Sequence, residues 1–363
     1  MRVAIIGSSI AGSSLACLLA ENAAIMVYDS KTRKEIGKKV CANVVTSSFS
    51  KYVKLLGLNP EKYIISRFNT AVGISKHNKL EFKTDEFKVD RGKLIEDLIA
   101  KAEKKGVQFN FGTRLISIRK EDKNFLITFE RGEEIFTDEA DILVGADGAL
   151  SEVAKKARLW DDRKLYLVMQ TEIPLSKLKI GLKKDSYNIY VGPEFGYYGY
   201  VFPSKDKVTI GVGDASEKVK ERYNSFLKFL GLNSRIGKIQ AALIPEPKVI
   251  KQKKSLFLIG DAGCHVKFSG GGIIPAIMAS EAVREIIVNK NYKKLKELNR
   301  RTFFNKMATK MIWKMNDRDF DDFFEILKDK KFQGFLEKRD ELEKREYFKL
   351  LDRRLLKFFL KII

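Results

Sequence analysis

Residues 1–29, MRVAIIGSSIAGSSLACLLAENAAIMVYD, decide the fold. An apolar strand, Val3-Ala4-Ile5-Ile6, runs into the turn Gly7-Ser8-Ser9-Ile10-Ala11-Gly12; a helix of small residues over Gly12–Glu21 follows, and a second strand ends at Asp29. This is the pattern of a dinucleotide-binding βαβ unit. Gly7 lets the chain turn sharply off the strand, and Ala11 and Gly12 let the helix pack close to the sheet. The open N–H groups and positive dipole at the helix start suit a pyrophosphate. Asp29 stands where a carboxylate accepts ribose hydroxyls. Ser9 replaces the middle glycine of the pattern, and an ordinary α/β turn is the competing reading.

Three later stretches extend the pattern. Asp90-Arg91-Gly92-Lys93-Leu94 opens a helix, and Ala140-Asp141-Ile142-Leu143-Val144-Gly145-Ala146-Asp147-Gly148 ends a third strand. Ser255-Leu256-Phe257-Leu258-Ile259-Gly260-Asp261-Ala262 is another buried strand, followed by Phe268-Ser269-Gly270-Gly271-Gly272-Ile273 and a helix through about Val288. In this order the motifs resemble the FAD-binding proteins of the para-hydroxybenzoate hydroxylase and geranylgeranyl reductase superfamily. An NAD dehydrogenase needs only the first of them. The resemblance implies FAD as cofactor, with Asp261 accepting from the ribityl region and Arg91 near the pyrophosphate. It places the N–H groups of Gly272 and Ile273 on the N1–C2=O side of the flavin, where negative charge gathers on reduction. Leu115 and Asp147 complete the implied cofactor contacts.

Two further stretches point to the geranylgeranyl reductase branch. Gly37-Lys38-Lys39-Val40-Cys41-Ala42-Asn43 is similar to that branch's Gly-x-x-x-Cys segment, in which the Cys and its neighbour, here Cys41 and Ala42, contact the flavin. Tyr198-Gly199-Tyr200-Val201-Phe202-Pro203 is close to its Tyr-x-Trp-x-Phe-Pro channel motif, with Tyr200 in place of Trp. The resemblance covers roughly residues 1–290; Val44 and the short, proline-free loop 263–269 depart from it. It implies a reductase that saturates isoprenoid C=C bonds, with hydride from reduced flavin going to one alkene carbon and a proton to the other. Cys41 is the candidate catalytic residue, and Tyr198, Tyr200, Phe202 and Pro203 are the candidate substrate contacts. Partners implied are a prenyl-chain lipid and an external electron donor, NAD(P)H or ferredoxin. His265 is either an acid or a structural residue of its loop. A single-component flavin monooxygenase and a non-catalytic flavoprotein or prenyl-lipid carrier are the rival readings.

The expected architecture is α/β. A Rossmann-type FAD-binding domain (residues 1–66, 84–158 and 250–290) carries an inserted antiparallel-sheet substrate domain (67–83 and 159–249) and a helical C-terminal region (291–363). Residues 70–83 read as a short hairpin, and runs near 164–173, 186–192, 196–202 and 207–213 read as the roofing sheet, with Tyr198, Tyr200 and Phe202 on one face. A helix near 216–230 and a strand near 238–244 follow. Cys17, Cys41 and Cys264 make no disulfide framework and have no metal-ligand spacing, so no metal is expected. No secretory segment and no run of eighteen apolar residues is present, which predicts a cytoplasmic protein.

The net charge of +22 predicts attraction to polyanions. Nucleic acid is not expected, because no recognised nucleic-acid module is present. An anionic membrane surface is the candidate, with peripheral attachment through the C-terminus. Within 344–363, Lys349, Arg353, Lys357 and Lys361 form one stripe, and Phe348, Leu351, Leu355, Phe358, Phe359 and Ile362 form the other. That pattern fits an interfacial helix and equally a terminal helix docked on its own domain.

Overall fold

Strand β1 (Arg2–Ile6) is buried from Val3 onward on both faces, which is why it reads as a continuous apolar run without alternation. The computed structural model describes residues 1–160, 162–196, 198–215, 217–233, 236–330, 332 and 353–362, the side chains of 356 and 359–361 aside. Helix α1 (Ile10–Leu19) follows, starting two residues earlier than the sequence predicts, and leads into β2 (Ala24–Asp29). Beyond these lie β3 (Val44–Thr46), α2 (Ser48–Leu55), β4 (Ile64–Ile74), β5 (Lys79–Val89), α3 (Arg91–Glu103), β6 (Gln108–Phe111), β7 (Arg114–Glu121), β8 (Asn124–Arg131), β9 (Glu134–Ala140) and β10 (Ile142–Gly145). The chain continues through α4 (Glu152–Lys156), β11 (Leu165–Pro174), β12 (Ser186–Tyr190), β13 (Tyr198–Ser204), β14 (Lys207–Asp214), α5 (Val219–Phe229), β15 (Gln240–Pro245), β16 (Leu256–Leu258) and α6 (Ile273–Asn289).

A parallel sheet in the order β16-β10-β1-β2-β6 forms the first layer. Helices α1, α3 and α6 cover one face, packing Leu15, Leu98, Ile277 and Val283 against Val3, Ile5 and Val27. The antiparallel meander β7-β8-β9 covers the other, with Phe125, Ile127 and Phe129 against Ala4, Ile6 and Leu143. The fold is therefore the expected α/β class.

The second sheet has the order β15-β11-β14-β13-β12-β4-β5-β3. It contains the four expected strands, but it is not wholly antiparallel: β12 pairs in parallel with β4. The hairpin expected at 70–83 extends over 64–89, and Val44–Thr46 joins its far side. Lys88 Nζ on β5 donates to Thr209 Oγ1 on β14 at 2.9 Å, although three strands lie between them. Strands lie about 4.8 Å apart, so a flat sheet would forbid that contact. The sheet is curled. Helix α5 packs Tyr223, Phe226 and Leu227 on its convex face against Val201, Val208, Ile210 and Val212.

Helices α7 (Lys293–Lys314), α8 (Asp317–Leu327) and α9 (Arg353–Ile362) make the C-terminal region. The described side chains of the apolar stripe of α9 are packed. Leu355 packs with Leu80, Phe324 and Leu327, and Phe358 and Ile362 pack with Met315 and Phe320. The Phe358 ring stacks on Phe323, centroids 5.4 Å apart. Of the predicted basic stripe, Arg353 and Lys357 are exposed. Lys349, Phe348 and Leu351 lie outside the described residues, as do the side chains of Phe359 and Lys361. The described part of the stripe resolves the two readings of this helix toward docking on its own domain. No helix among the described residues is long and apolar enough to cross a membrane.

Candidate functional site

The turn after β1 demands its two glycines. Gly7 has φ +102°, and a Cβ there would lie 2.4 Å from Ala146 O. A Cβ on Gly12 would lie 1.8 Å from Gly7 O. Ser9 sits at φ −76° and ψ −164°, backbone that any residue adopts, so the missing glycine carries no strain. Ser9 makes no side-chain cap, and the first turn of α1 keeps its N–H groups open. Asp29 is tied to this turn: its Oδ2 accepts from Ser8 N–H and Ser8 Oγ, both at 2.8 Å, and its Oδ1 accepts from Lys31 N–H at 2.9 Å. Leu115 is buried two residues beyond Thr113, whose N–H donates to Asp29 O at 2.8 Å.

Asp147, another expected cofactor contact, caps a helix. Its carboxylate accepts from Ser151 Oγ at 2.6 Å and Val153 N–H at 3.0 Å, so its side chain fixes the start of α4. Burial raises its pKa, against those hydrogen bonds.

Three remote segments converge on the same turn. A Cβ on Gly260 would lie 2.9 Å from Ala11 Cβ, which puts the late Gly-Asp against the start of α1. Asp261 forms an ion pair with Lys39 at 2.5 Å, joining it to the 37–43 loop. Arg91, buried at the start of α3, donates from Nη2 to Gly37 O at 2.9 Å and to Lys39 O. Its Nε is buried with no partner, and so is Asn43 Oδ1 in the same loop. Asn43 has φ +59° and donates its N–H to Cys41 Sγ at 3.3 Å. Ala42 packs with the aromatic face of the curled sheet. Gly272 leads into Ile273 and α6, and a Cβ on Gly272 would come 3.1 Å from Asp261 Oδ1.

The concave face of the curled sheet meets this junction. Tyr198, Tyr200 and Phe202 do share a face: Tyr198 and Tyr200 have ring centroids 5.8 Å apart, and Tyr200 and Phe202 5.1 Å. Pro203 follows, half-buried and paired with Val208. Tyr200 is buried, donates to Gln170 Oε1 at 2.7 Å, and has its pKa held well above the usual tyrosine value by burial and then by neighbouring Tyr198, Cys41 and Tyr223. The Tyr198 hydroxyl lies where a Cβ on Gly270 would meet it at 2.9 Å, so the sheet touches the glycine-rich loop before α6. Sequence reasoning missed Phe68, Tyr187 and Gln170, which complete this face, and the Gly211 and Gly213 that make room for it. Cβ atoms there would lie 2.3 Å from Tyr200 Oη and 3.0 Å from Tyr198 Cε1. The signal was present as Gly-x-Gly on one strand opposite Tyr-x-Tyr on the next.

His265 is fully enclosed, with Nδ1 unpartnered and its pKa pushed down to about 4 by burial and the nearby Arg163 charge. Burial thus favours its neutral form near pH 7, in keeping with a structural residue of its loop.

Residues 1–192 match the family model described as FAD binding domain. The chain belongs to this FAD-binding family. Its cofactor is FAD. Among curated relatives of this family member, the chloroplastic geranylgeranyl diphosphate reductase of Arabidopsis thaliana is 34% identical over 172 residues, 44% of this chain and 36% of that protein. The chain thus spans about a third of the length of that plant relative. The digeranylgeranylglycerophospholipid reductase of Methanocaldococcus jannaschii is 24% identical over 358 residues, 90% of each chain. Among solved structures, a geranylgeranyl bacteriochlorophyll reductase-like protein of Thermoplasma acidophilum superposes with a TM-score of 0.81 at 17% identity, over 100% of this chain and 99% of that one. A p-nitrophenol 4-monooxygenase of Pseudomonas putida gives 0.71 at 15% identity, over 97% and 98%. Both share the fold.

Proposed function

We propose that this chain is an FAD-dependent reductase that saturates isoprenoid C=C bonds of a prenyl-chain lipid or its precursor. The observation that carries this reading is the aromatic concave face, Tyr198, Tyr200, Phe202, Phe68 and Tyr187, set against the Cys41 loop and the glycine-rich start of α6. An aromatic-lined wall suits a hydrocarbon chain. The names and coverage of the curated relatives support the same class.

The residues fit FAD. The Gly7 and Gly12 cradle admits no Cβ, the α1 and α6 N-termini offer N–H groups, and the buried Arg91 Nε and Asn43 Oδ1 await polar partners. In this reading Gly7, Ala11, Gly12, Asp29 and Leu115 hold the adenosine and pyrophosphate end. Arg91, Asp261, Cys41, Ala42, Gly272 and Ile273 hold the ribityl and ring end. FAD, reduced by an external donor such as NAD(P)H or ferredoxin, supplies hydride to the alkene. Cys41 lies between the two halves and orients the reacting bond. Tyr200 retains the proton on Oη and, with Phe202, keeps water from the chain. The second reading, oxygenation, draws on the fold shared with the p-nitrophenol monooxygenase.

The test is anaerobic incubation of the FAD-loaded protein with chemical reductant and geranylgeranyl diphosphate, followed by mass spectrometry. Products that gain two hydrogens per reduced bond are expected. An oxygenated product under aerobic NAD(P)H, with no hydrogenated product in either condition, would overturn the proposal.

A further inference from the structure

On the concave face, among the described residues, Lys88 is a buried cation that makes no ion pair. Lys88 is 5% exposed, and among the described residues its ammonium has a single hydrogen bond, to Thr209 Oγ1 at 2.9 Å, and no ion pair. An ammonium has three N–H groups, and a buried charge is costly unless it is paired. The carboxylates around it are engaged elsewhere. Glu172 pairs with Lys207 at 3.1 Å, and Glu86, two residues along β5, accepts from the Tyr187 hydroxyl. Burial lowers the Lys88 pKa, with Glu172 opposing and Lys207 adding to the shift.

The position of this cation gives it meaning. Thr209 is the cross-strand partner of Phe202, which lies two residues beyond Tyr200 and four beyond Tyr198 on β13. Phe202 packs on Tyr187 at 5.0 Å, and Phe68, opposite Glu86, packs on Tyr187 at 5.3 Å. A chain laid along the aromatic row from the glycine-rich loop therefore ends beside Lys88.

We propose that Lys88 binds the phosphate group of the substrate, held for it by Thr209, so that the aromatic face selects a phosphorylated prenyl compound over an uncharged one. This rests on the prenyl-reductase reading for the identity of the chain. A lysine suits a phosphate as a point charge, and a bound anion supplies the close ion pair that Lys88 lacks. The phosphate belongs either to a free prenyl diphosphate or to a prenyl glycerophospholipid.

The experiment is equilibrium binding to the full-length, FAD-loaded protein of three probes: geranylgeranyl diphosphate, geranylgeraniol and a digeranylgeranyl glycerophosphate in detergent. Lys88→Met should weaken a phosphorylated probe at least tenfold more than the alcohol, with the flavin spectrum unchanged, and the probe showing the larger drop names the source. Glu86→Gln should not weaken it, because that change removes a neighbouring negative charge. Should Lys88→Met fail to fold, Thr209→Val tests the same anchor in the same direction. Equal loss for all three probes, no loss for either phosphorylated one, or equal loss in Glu86→Gln overturns the proposal. Lys88-dependent binding in a protein that reduces no alkene keeps this inference and removes the reductase reading; reduction with no Lys88 dependence does the reverse.

Discussion

Arg91 and Asp261 are far apart in sequence and act on one loop. Arg91 grips the 37–43 loop through Gly37 O and Lys39 O, and Asp261 holds the same loop through Lys39. Each has a second duty in the proposed FAD site, and a lost charge-assisted contact is worth about 1.5–3 kcal/mol. Arg91→Ala or Asp261→Ala should therefore purify with FAD occupancy reduced tenfold or more; full occupancy in both variants with an intact fold would remove these residues from the site. Cys41→Ser should keep FAD yet lower alkene reduction, as measured by product formation, because thiol size and polarity change beside Tyr200. His265 makes a separate, pH-dependent prediction. Its folded pKa of about 4 lies below its ordinary value, so the unfolded chain takes up the proton first. Its contribution is whole above about pH 6.5 and is lost as the pH falls toward 4, amounting to about 3 kcal/mol. Thermal melts from pH 7 to 4 should show a shallower acid loss in His265→Gln than in wild type; parallel curves would count against the burial argument.

At the scale of elements, what was legible in the sequence was what local pattern encodes. The βαβ start, the Asp90-capped α3 and the Gly-Asp before α6 carry their turn chemistry in a few adjacent residues, and each stands where expected. The curl of the second sheet was not legible, because it depends on which distant strands pair. The parallel join of β12 to β4 is a register choice made by packing across more than a hundred residues, and the extension of β5 to Val89 is a pairing with the start of β4 at Ile64. The capping of α4 by Asp147 was not legible for a similar reason, since its partners Ser151 and Val153 belong to a short helix with no periodic signal. The glycines of β14 offer a test at this scale. Gly211→Val would place its Cβ 2.3 Å from the Tyr200 hydroxyl, and overpacking of this kind typically costs about 1–3 kcal/mol. The expected result is a lower melting temperature and weaker use of long prenyl substrates with the flavin spectrum retained. Unchanged long-chain kinetics would remove the aromatic row from the substrate path.

For the whole molecule, a net charge of +22 predicts attraction to an anionic lipid surface, while the apolar side chains described on α9 are already engaged. Insertion of α9 would require Leu355, Phe358 and Ile362 to leave a core they share with α8 and Leu80. Burying a Phe side chain and then deleting it costs about 3–5 kcal/mol, so that undocking is expensive compared with about 1 kcal/mol for each Lys or Arg near a charged surface. Any lipid contact should therefore be electrostatic and independent of the apolar face of α9. Phe358→Ala is expected to lower the melting temperature by several degrees and to leave sedimentation with anionic vesicles intact at low salt. That sedimentation should fade in wild type and variant alike as the ionic strength rises, because screening shortens the reach of surface charge to about 8 Å at physiological salt. The opposite pair of results, an unchanged melting temperature with vesicle binding abolished, would place Phe358 in the lipid and α9 at the interface.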